Sequence, residues 1–361
     1  MASLPPKYTP DALTQPAEYG VLKQLEGTWV NYNPKNNKTG WGLHTTCLPS
    51  PGTNSETIPG KFHFLCENYT EELTFTLVPG GVRNRGGTNE QFCGAVKYSQ
   101  SIQDLNGIGL HEENGMYLWL KKLYNHPADD ESIMTDIGSP ELCPGDGSDG
   151  PTFVPAYSVA RSGTIPHGST IHLIGNNSRQ DGKPQFPHGN AAWDPKHLAI
   201  SPSMGVADLP TDNGSIDLDM PAPDWVRDPC LAENELPNSS KTYTQRILAH
   251  ELYPYSVRPD LRLRDAIKAQ NIKDFVLIQM STQQDGGPQG GILNIPFVQR
   301  FTPVKEMHFR LWIETVCEEG KEILQLQYEQ IQFFDFHFGS SGSTTRWPHI
   351  QINTLRKKES A

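Results

Sequence analysis

Apolar and polar residues alternate with a period of two from Val21 to Leu123 and again from Met307 to Leu355, the pattern of strands with one buried and one wet face. Lys61 to Val78 carries two such runs out of phase. Phe62, Phe64 and Cys66 mark even positions, whereas Tyr69, Glu71, Leu73, Phe75 and Leu77 mark odd ones, which predicts a bulge or short turn near Glu67 to Tyr69. Phe92 to Ile102 forms a further strand and runs into the turn signal Asn106-Gly107. Ile108 to Leu123 follows, with His111, Tyr117 and Trp119 on one face. Ala156 to Gly175 reads as two short strands about Thr164-Ile165-Pro166-His167-Gly168, a turn that sets His167 at a rim. Phe275 to Met280 resumes strand structure, and Ile292 to Val298 is counted as irregular. In the strand predicted over Ile323 to Phe338, the even positions form an apolar face interrupted by Gln330 and Gln332. Two inward amides are costly unless a ligand, water or neighbour satisfies them, or a bulge turns them outward. One helix is predicted, Asp260 to Asn271, with Leu261, Leu263, Ala266 and Ile267 on the apolar stripe and Arg262, Arg264, Asp265 and Lys268 facing away.

Composition sharpens this into an all-β chain. The hydrophobic fraction is 36%, with 32 Gly and 30 Pro among 361 residues, which suits many strands joined by turns and long ordered loops. A polar arm over 1–20 precedes a single decorated β-barrel domain over 21–361. Its insertions at about 125–155 and 176–272 have too little apolar periodicity to fold alone. Asp129-Asp130-Glu131 in the first of them lacks the regular oxygen-ligand spacing of a calcium loop. The formal charge of −11 argues against nucleic acid or an anionic membrane as partner. The Pro-rich start is no signal peptide and no apolar run is long enough to span a bilayer. Six scattered cysteines without a C-x-x-C spacing read as free thiols in a reducing, cytoplasmic compartment. No G-x-S-x-G elbow or Walker loop occurs, and the nearest approach to a metal cluster, Asp335 with His337, stands alone.

The candidate chemistry sits in Arg346-Trp347-Pro348-His349-Ile350-Gln351-Ile352-Asn353-Thr354-Leu355-Arg356. Pro348 fixes its own φ and extends Trp347, and the β-branched residues that follow favour a strand, so His349 is rigidly held at a strand entrance. An ordinary polar residue at a strand start is the plain alternative. In an up-and-down barrel all even-numbered strands start at one end. A histidine opening the fourth strand (His111), one before the sixth (His167) and one in the tenth (His349) would then meet at one mouth.

Four stretches, Gly27-Thr28-Trp29, Tyr69-Thr70-Glu71-Glu72-Leu73-Thr74-Phe75, Gly109-Leu110-His111-Glu112-Glu113-Asn114-Gly115-Met116-Tyr117 and His349-Ile350-Gln351-Ile352-Asn353-Thr354-Leu355-Arg356, resemble in content and order those of nitrobindins, small haem-binding calycin barrels. The resemblance covers about half the chain, as scattered motifs. It implies a closed antiparallel up-and-down β-barrel of about ten strands, with haem b as cofactor and His349 as the proximal iron ligand. It also implies His111 on the distal side, where the strand count would add His167, and in that haem reading Tyr117, Trp119, Phe334 and Phe336 lie around the porphyrin. The expected partners are a small-molecule ligand or oxidant: nitric oxide, peroxide or peroxynitrite. The activity would be that of a haem-dependent peroxidase-type oxidoreductase or a peroxynitrite isomerase. The competing expectation is a non-enzymatic calycin that carries a lipid or other apolar molecule in its barrel, with the 260–271 helix as portal lid.

Overall fold

The computed structural model describes residues 19–32, 40–49, 62–80, 82–84, 89–125, 134–136, 157–186, 251–252, 255, 259–283, 290–338 and 343–358. Its strands are β1 (Gly27–Asn31), β2 (Leu43–Pro49), β3 (Phe62–Asn68), β4 (Thr70–Leu77), β5 (Val82–Asn84), β6 (Asn89–Gln103), β7 (Gly109–Asn125), β8 (Met134–Asp136), β9 (Val159–Ile165), β10 (Ser169–Asp181), β11 (Ile272–Ser281), β12 (Gly291–Asn294), β13 (Val304–Glu318), β14 (Lys321–Phe338) and β15 (Ser343–Lys357). The order β1-β4-β6-β7-β9-β10-β11-β13-β14-β15 closes by pairing β1 with β15, with Val30 opposite Arg356. The result is a closed antiparallel barrel of ten strands, up and down in chain order, with β2, β3, β5, β8 and β12 added outside the ring. That architecture fits a calycin-like fold.

The predicted break near Tyr69 separates β3 from β4, and it takes β3 out of the ring. β15 pairs through its C-terminal end (Leu355–Lys357) with β1 and through its middle (His349–Ile352) with β2, on which β3 is laid. The turn after β6 follows its signal. Gly107 has φ +84, and Asp104 Oδ1 accepts the backbone N–H groups of Asn106 and Ile108 at 2.8 and 2.7 Å. The segment at 292–298 stays outside the ring of ten strands but is regular where it was read as irregular, forming β12 laid on β10 and then the short helix Pro296–Phe301.

One end of the barrel is plugged by a 3-10 helix over Gly20–Leu25, whose Leu22 and Leu25 are buried. Trp29 is fully buried beside it, and its indole N–H donates to the Leu25 carbonyl at 2.7 Å. Inward residues of the surrounding strands, among them Phe75, Val96, Trp119, Leu326 and Leu355, complete that core. A second core lies outside the ring. There the helix α1 (Asp260–Ile267) sets Leu263 and Ile267 against Phe275, Trp312 and Val316.

Three expectations are corrected. The helix stops at Ile267 instead of Asn271, because β11 takes the chain from Ile272 into pairing with β13. Arg262, expected to face away, is buried, donating to Asn68 Oδ1 at 2.6 Å, with its guanidinium over the Tyr255 ring at 5.3 Å. The stretch from Asn176, read as the start of an insertion, continues β10 through Asp181 against β11. Its residues are largely exposed, so it shows no apolar alternation. Most of both expected insertions lies outside the described residues.

Candidate functional site

Barrel closure turns the side chains of alternate residues into one interior, and three histidines into one mouth. His111 stands at the start of β7, the fourth strand of the ring, and His167 in the turn before β10, the sixth. Their rings stack with centroids 5.7 Å apart and planes 23° apart. His349, in β15, the tenth, lies close enough that both of those imidazoles act on it electrostatically. Burial, reinforced by the neighbouring histidines, pushes its pKa well below the ordinary histidine value. It is therefore neutral, with a nitrogen lone pair available. Its Nε2 is buried and has no hydrogen-bond partner among the described residues. The ring of Phe334 lies beside it, centroids 5.7 Å apart at 32°.

The sequence did not point to His44. It lies on β2, opposite Gln351 of β15, which makes it a diagonal neighbour of His349 on the same sheet face. It is 5% exposed, and burial pushes its pKa down to about 4. Its Nε2 is likewise buried and without a partner. The two rings stand edge to face, centroids 5.7 Å apart and planes 77° apart. The β-branched pair Thr45-Thr46 after Leu43 favours a strand, a signal that does not place His44 beside His349.

Below the mouth the barrel is polar. Arg161 donates through Nη2 to Glu113 Oε1 at 2.7 Å, through Nη1 to Gln330 Oε1 at 3.0 Å and through Nε to the Tyr98 hydroxyl at 3.2 Å. Its guanidinium lies over the Phe309 ring at 4.5 Å. Glu113 also accepts from Tyr98, and its Oε2 lies 3.3 Å from His111 Nε2. Burial would push Glu113 up, but Arg161 and these bonds hold it down to about 2, so an anionic carboxylate orients His111 from below. Gln330 passes the chain on, its Nε2 donating to Gln351 Oε1 at 3.0 Å. The inward amide at 330 is thus satisfied by neighbours, and no register shift occurs beside it.

A second cluster adjoins the first. Glu71 accepts from Gln100 Nε2 at 2.7 Å and from Asn353 Nδ2 at 2.7 Å, and its Oε2 lies 2.8 Å from the Tyr328 hydroxyl. Tyr328 and Tyr69 hydroxyls are 2.7 Å apart, and Tyr69 donates to the Ile352 carbonyl at 2.9 Å. The Tyr328 hydroxyl donates to the Glu71 carboxylate, and burial raises the Glu71 pKa above the ordinary carboxylate value. The space between the clusters, lined by Leu73, Tyr98, Tyr117, Arg161, Phe309 and Tyr328 among others, amounts to about 10 Å³, room for about one water.

Tyr117 and Trp119 share the inward face with His111 but lie deeper. Tyr117 packs edge to face against Tyr98 and Phe75 at 5.1 and 5.7 Å. Trp119 reaches the plugged end, where its ring lies against Gly20. Phe334 stays at the mouth beside His349. The side chains of Phe336 and Trp347 lie outside the described residues, and among the described residues no group of three or more His, Cys, Asp or Glu is placed to hold a metal ion.

No protein-family model matches this sequence, and no curated protein does. A solved structure, that of Rv2717c from M. tuberculosis, superimposes over 95% of this chain and 100% of its own with a TM-score of 0.33 at 11% identity. A likeness at that level carries no argument about what the site does. Among the described residues no helix is long and apolar enough to cross a membrane.

Proposed function

We propose that this chain is a nitrobindin-like haem b protein that acts on or binds small oxidants or gases, with His349 as the iron ligand. The observation that carries the reading is the His349 Nε2, buried, neutral and without a hydrogen-bond partner among the described residues, beside the Phe334 ring. A nitrogen in that condition is missing a partner that a transition metal would provide, and histidine is a common axial ligand of haem. Haem held there would supply an iron able to bind nitric oxide, peroxide or peroxynitrite.

The chain's own residues support that chemistry in three ways. Pro348, buried in β15, fixes the backbone ahead of His349, and pairing with both β14 and β2 locks the strand. His111, its ring oriented by the Glu113 carboxylate 3.3 Å from Nε2, places an imidazole at the mouth where a proton could be moved. His167, exposed and stacked on it, extends that imidazole surface to solvent.

The test is an absorption spectrum of protein produced with haem supply, before and after dithionite, for the wild type and two variants. A Soret band is expected in the wild type. His349→Ala loses it or shifts it to a weak-ligand form, and His111→Ala keeps it with altered reactivity towards peroxide or peroxynitrite. No Soret band in the wild type, or an unchanged one in His349→Ala, overturns the proposal.

A further inference from the structure

Two neutral imidazoles stand side by side in this mouth, each with a buried Nε2 that no group among the described residues satisfies. One such atom is an anomaly that a haem iron would remove. The second, on His44, has no role in that scheme. Both histidines project from the same face of adjacent strands, since His349 pairs with Thr46 and His44 with Gln351. Side chains that rise together from one sheet face cannot take opposite sides of a porphyrin plane, so His44 is not placed to be a second axial ligand. Neighbours on one face are suited instead to converge on a single small ion. With metal–nitrogen bonds of about 2.0–2.1 Å, two imidazoles on one tetrahedral ion have ring centres roughly 5 Å apart. The observed separation is 5.7 Å, with the ring planes at 77°, within reach of a small side-chain rotation. The surroundings agree with the donor type. His44 is stacked on Tyr69 at 6.2 Å and His349 lies against Phe334, so the ring neighbours among the described residues are aromatic, and imidazole nitrogen suits the borderline ions Zn²⁺, Cu²⁺ and Ni²⁺.

We infer that His44 and His349 form a two-imidazole chelating site for a borderline divalent transition-metal ion, with its remaining positions open to water or a small ligand. His349 is then shared. Haem iron would use it alone, whereas a bare ion uses it together with His44, so the two occupants exclude each other and metal availability sets which form of the mouth is present. Three protein ligands plus an open position are the rule for tight catalytic zinc. The two found here predict a weaker, exchangeable site.

The experiment uses the full-length, haem-free protein and Cu²⁺ as probe, read by titration calorimetry and electron paramagnetic resonance. The expected result is one Cu²⁺ whose spectrum shows coupling to two imidazole nitrogens. His44→Ala and His349→Ala should each weaken it by at least roughly the 10–100-fold that loss of even an outer-shell partner costs. Changing the exposed His172, held by Ser162 at 2.7 Å, should leave it unchanged. Circular dichroism checks that the variants fold, and His44→Gln serves where His44→Ala does not. Haem loading separates this claim from the previous one: His44→Ala keeps its Soret band while losing Cu²⁺, and prior haem loading of the wild type blocks the Cu²⁺ site. Absence of Cu²⁺ binding in the wild type, or binding that survives in His44→Ala with both nitrogen couplings, overturns the inference. A wild type that binds Cu²⁺ in this way but shows no Soret band sinks the haem reading alone.

Discussion

Glu113 and Glu314 are both fully buried carboxylates, and their surroundings drive them in opposite directions. Glu113 faces Arg161, His111 and Tyr98 and is held down to about 2. A depressed folded pKa gives stability that is present above the unfolded value near 4.5 and lost as pH falls towards 2. Glu113→Gln leaves the Arg161 charge buried without its counterion and should cost about 3–5 kcal/mol at neutral pH, a gap that narrows as the wild type's own carboxylate is protonated. Glu314, on β13, receives one bond, from Gln325 Nε2 at 2.6 Å, and burial pushes it up to about 8 against the weaker pull of Arg356. The sign reverses there. The raised pKa stabilises the fold fully below about 4.5, and that contribution is lost as pH rises to 8. Glu314→Gln, which resembles the protonated acid, should therefore gain on the wild type progressively between pH 5 and 8. Urea midpoints across that range measure both effects, and parallel wild-type and Glu314→Gln curves would contradict the second.

At the level of elements, the pairing of β7 with β9 sets Gly115 opposite Gly163 in the barrel wall. A side chain added at Gly163 would fall on the Tyr98 hydroxyl and the Glu113 carboxylate. Gly163→Ala should thus displace the Arg161 cluster and cost about 1–3 kcal/mol, the usual penalty of overpacking. An unchanged denaturation midpoint would show the cluster to be softer than its bonding implies. The same scale shows what periodicity conveys. The break at Tyr69, the turn at Gly107 and the inward face of β14 were legible because one face of each strand is buried and the other wet. The second half of β10 was not, because it is a ribbon without a buried face, and neither was the burial of Arg262, because its hydrogen-bond partner Asn68 comes from a distant part of the chain.

For the molecule as a whole, closure rests on the pairing of β1 with β15 and on the plug of Leu22, Leu25 and Trp29, each with no exposed surface. Each such side chain contributes about 1.5–3 kcal/mol by burial, against a net stability of order 5–15 kcal/mol for a whole domain. Removing residues 1–31 also opens the edges of β4 and β15. The shortened chain should lose its cooperative thermal transition, and a transition within a few degrees of the full-length protein would show that the ring does not depend on this seam. By itself the sequence determined the fold class, the approximate strand count and, through the up-and-down rule, the end of the barrel that holds His111, His167 and His349, because alternation and turn chemistry are local properties. It also singled out His349 through a local feature, the preceding Trp-Pro pair. Only the tertiary structure decided that His44 stands beside His349, that Arg161 satisfies both Glu113 and Gln330, and that Tyr117 and Trp119 lie away from the mouth. Those facts depend on register between strands hundreds of residues apart in the chain, as with Thr46 and His349, and on depth along a shared face, neither of which a period of two records.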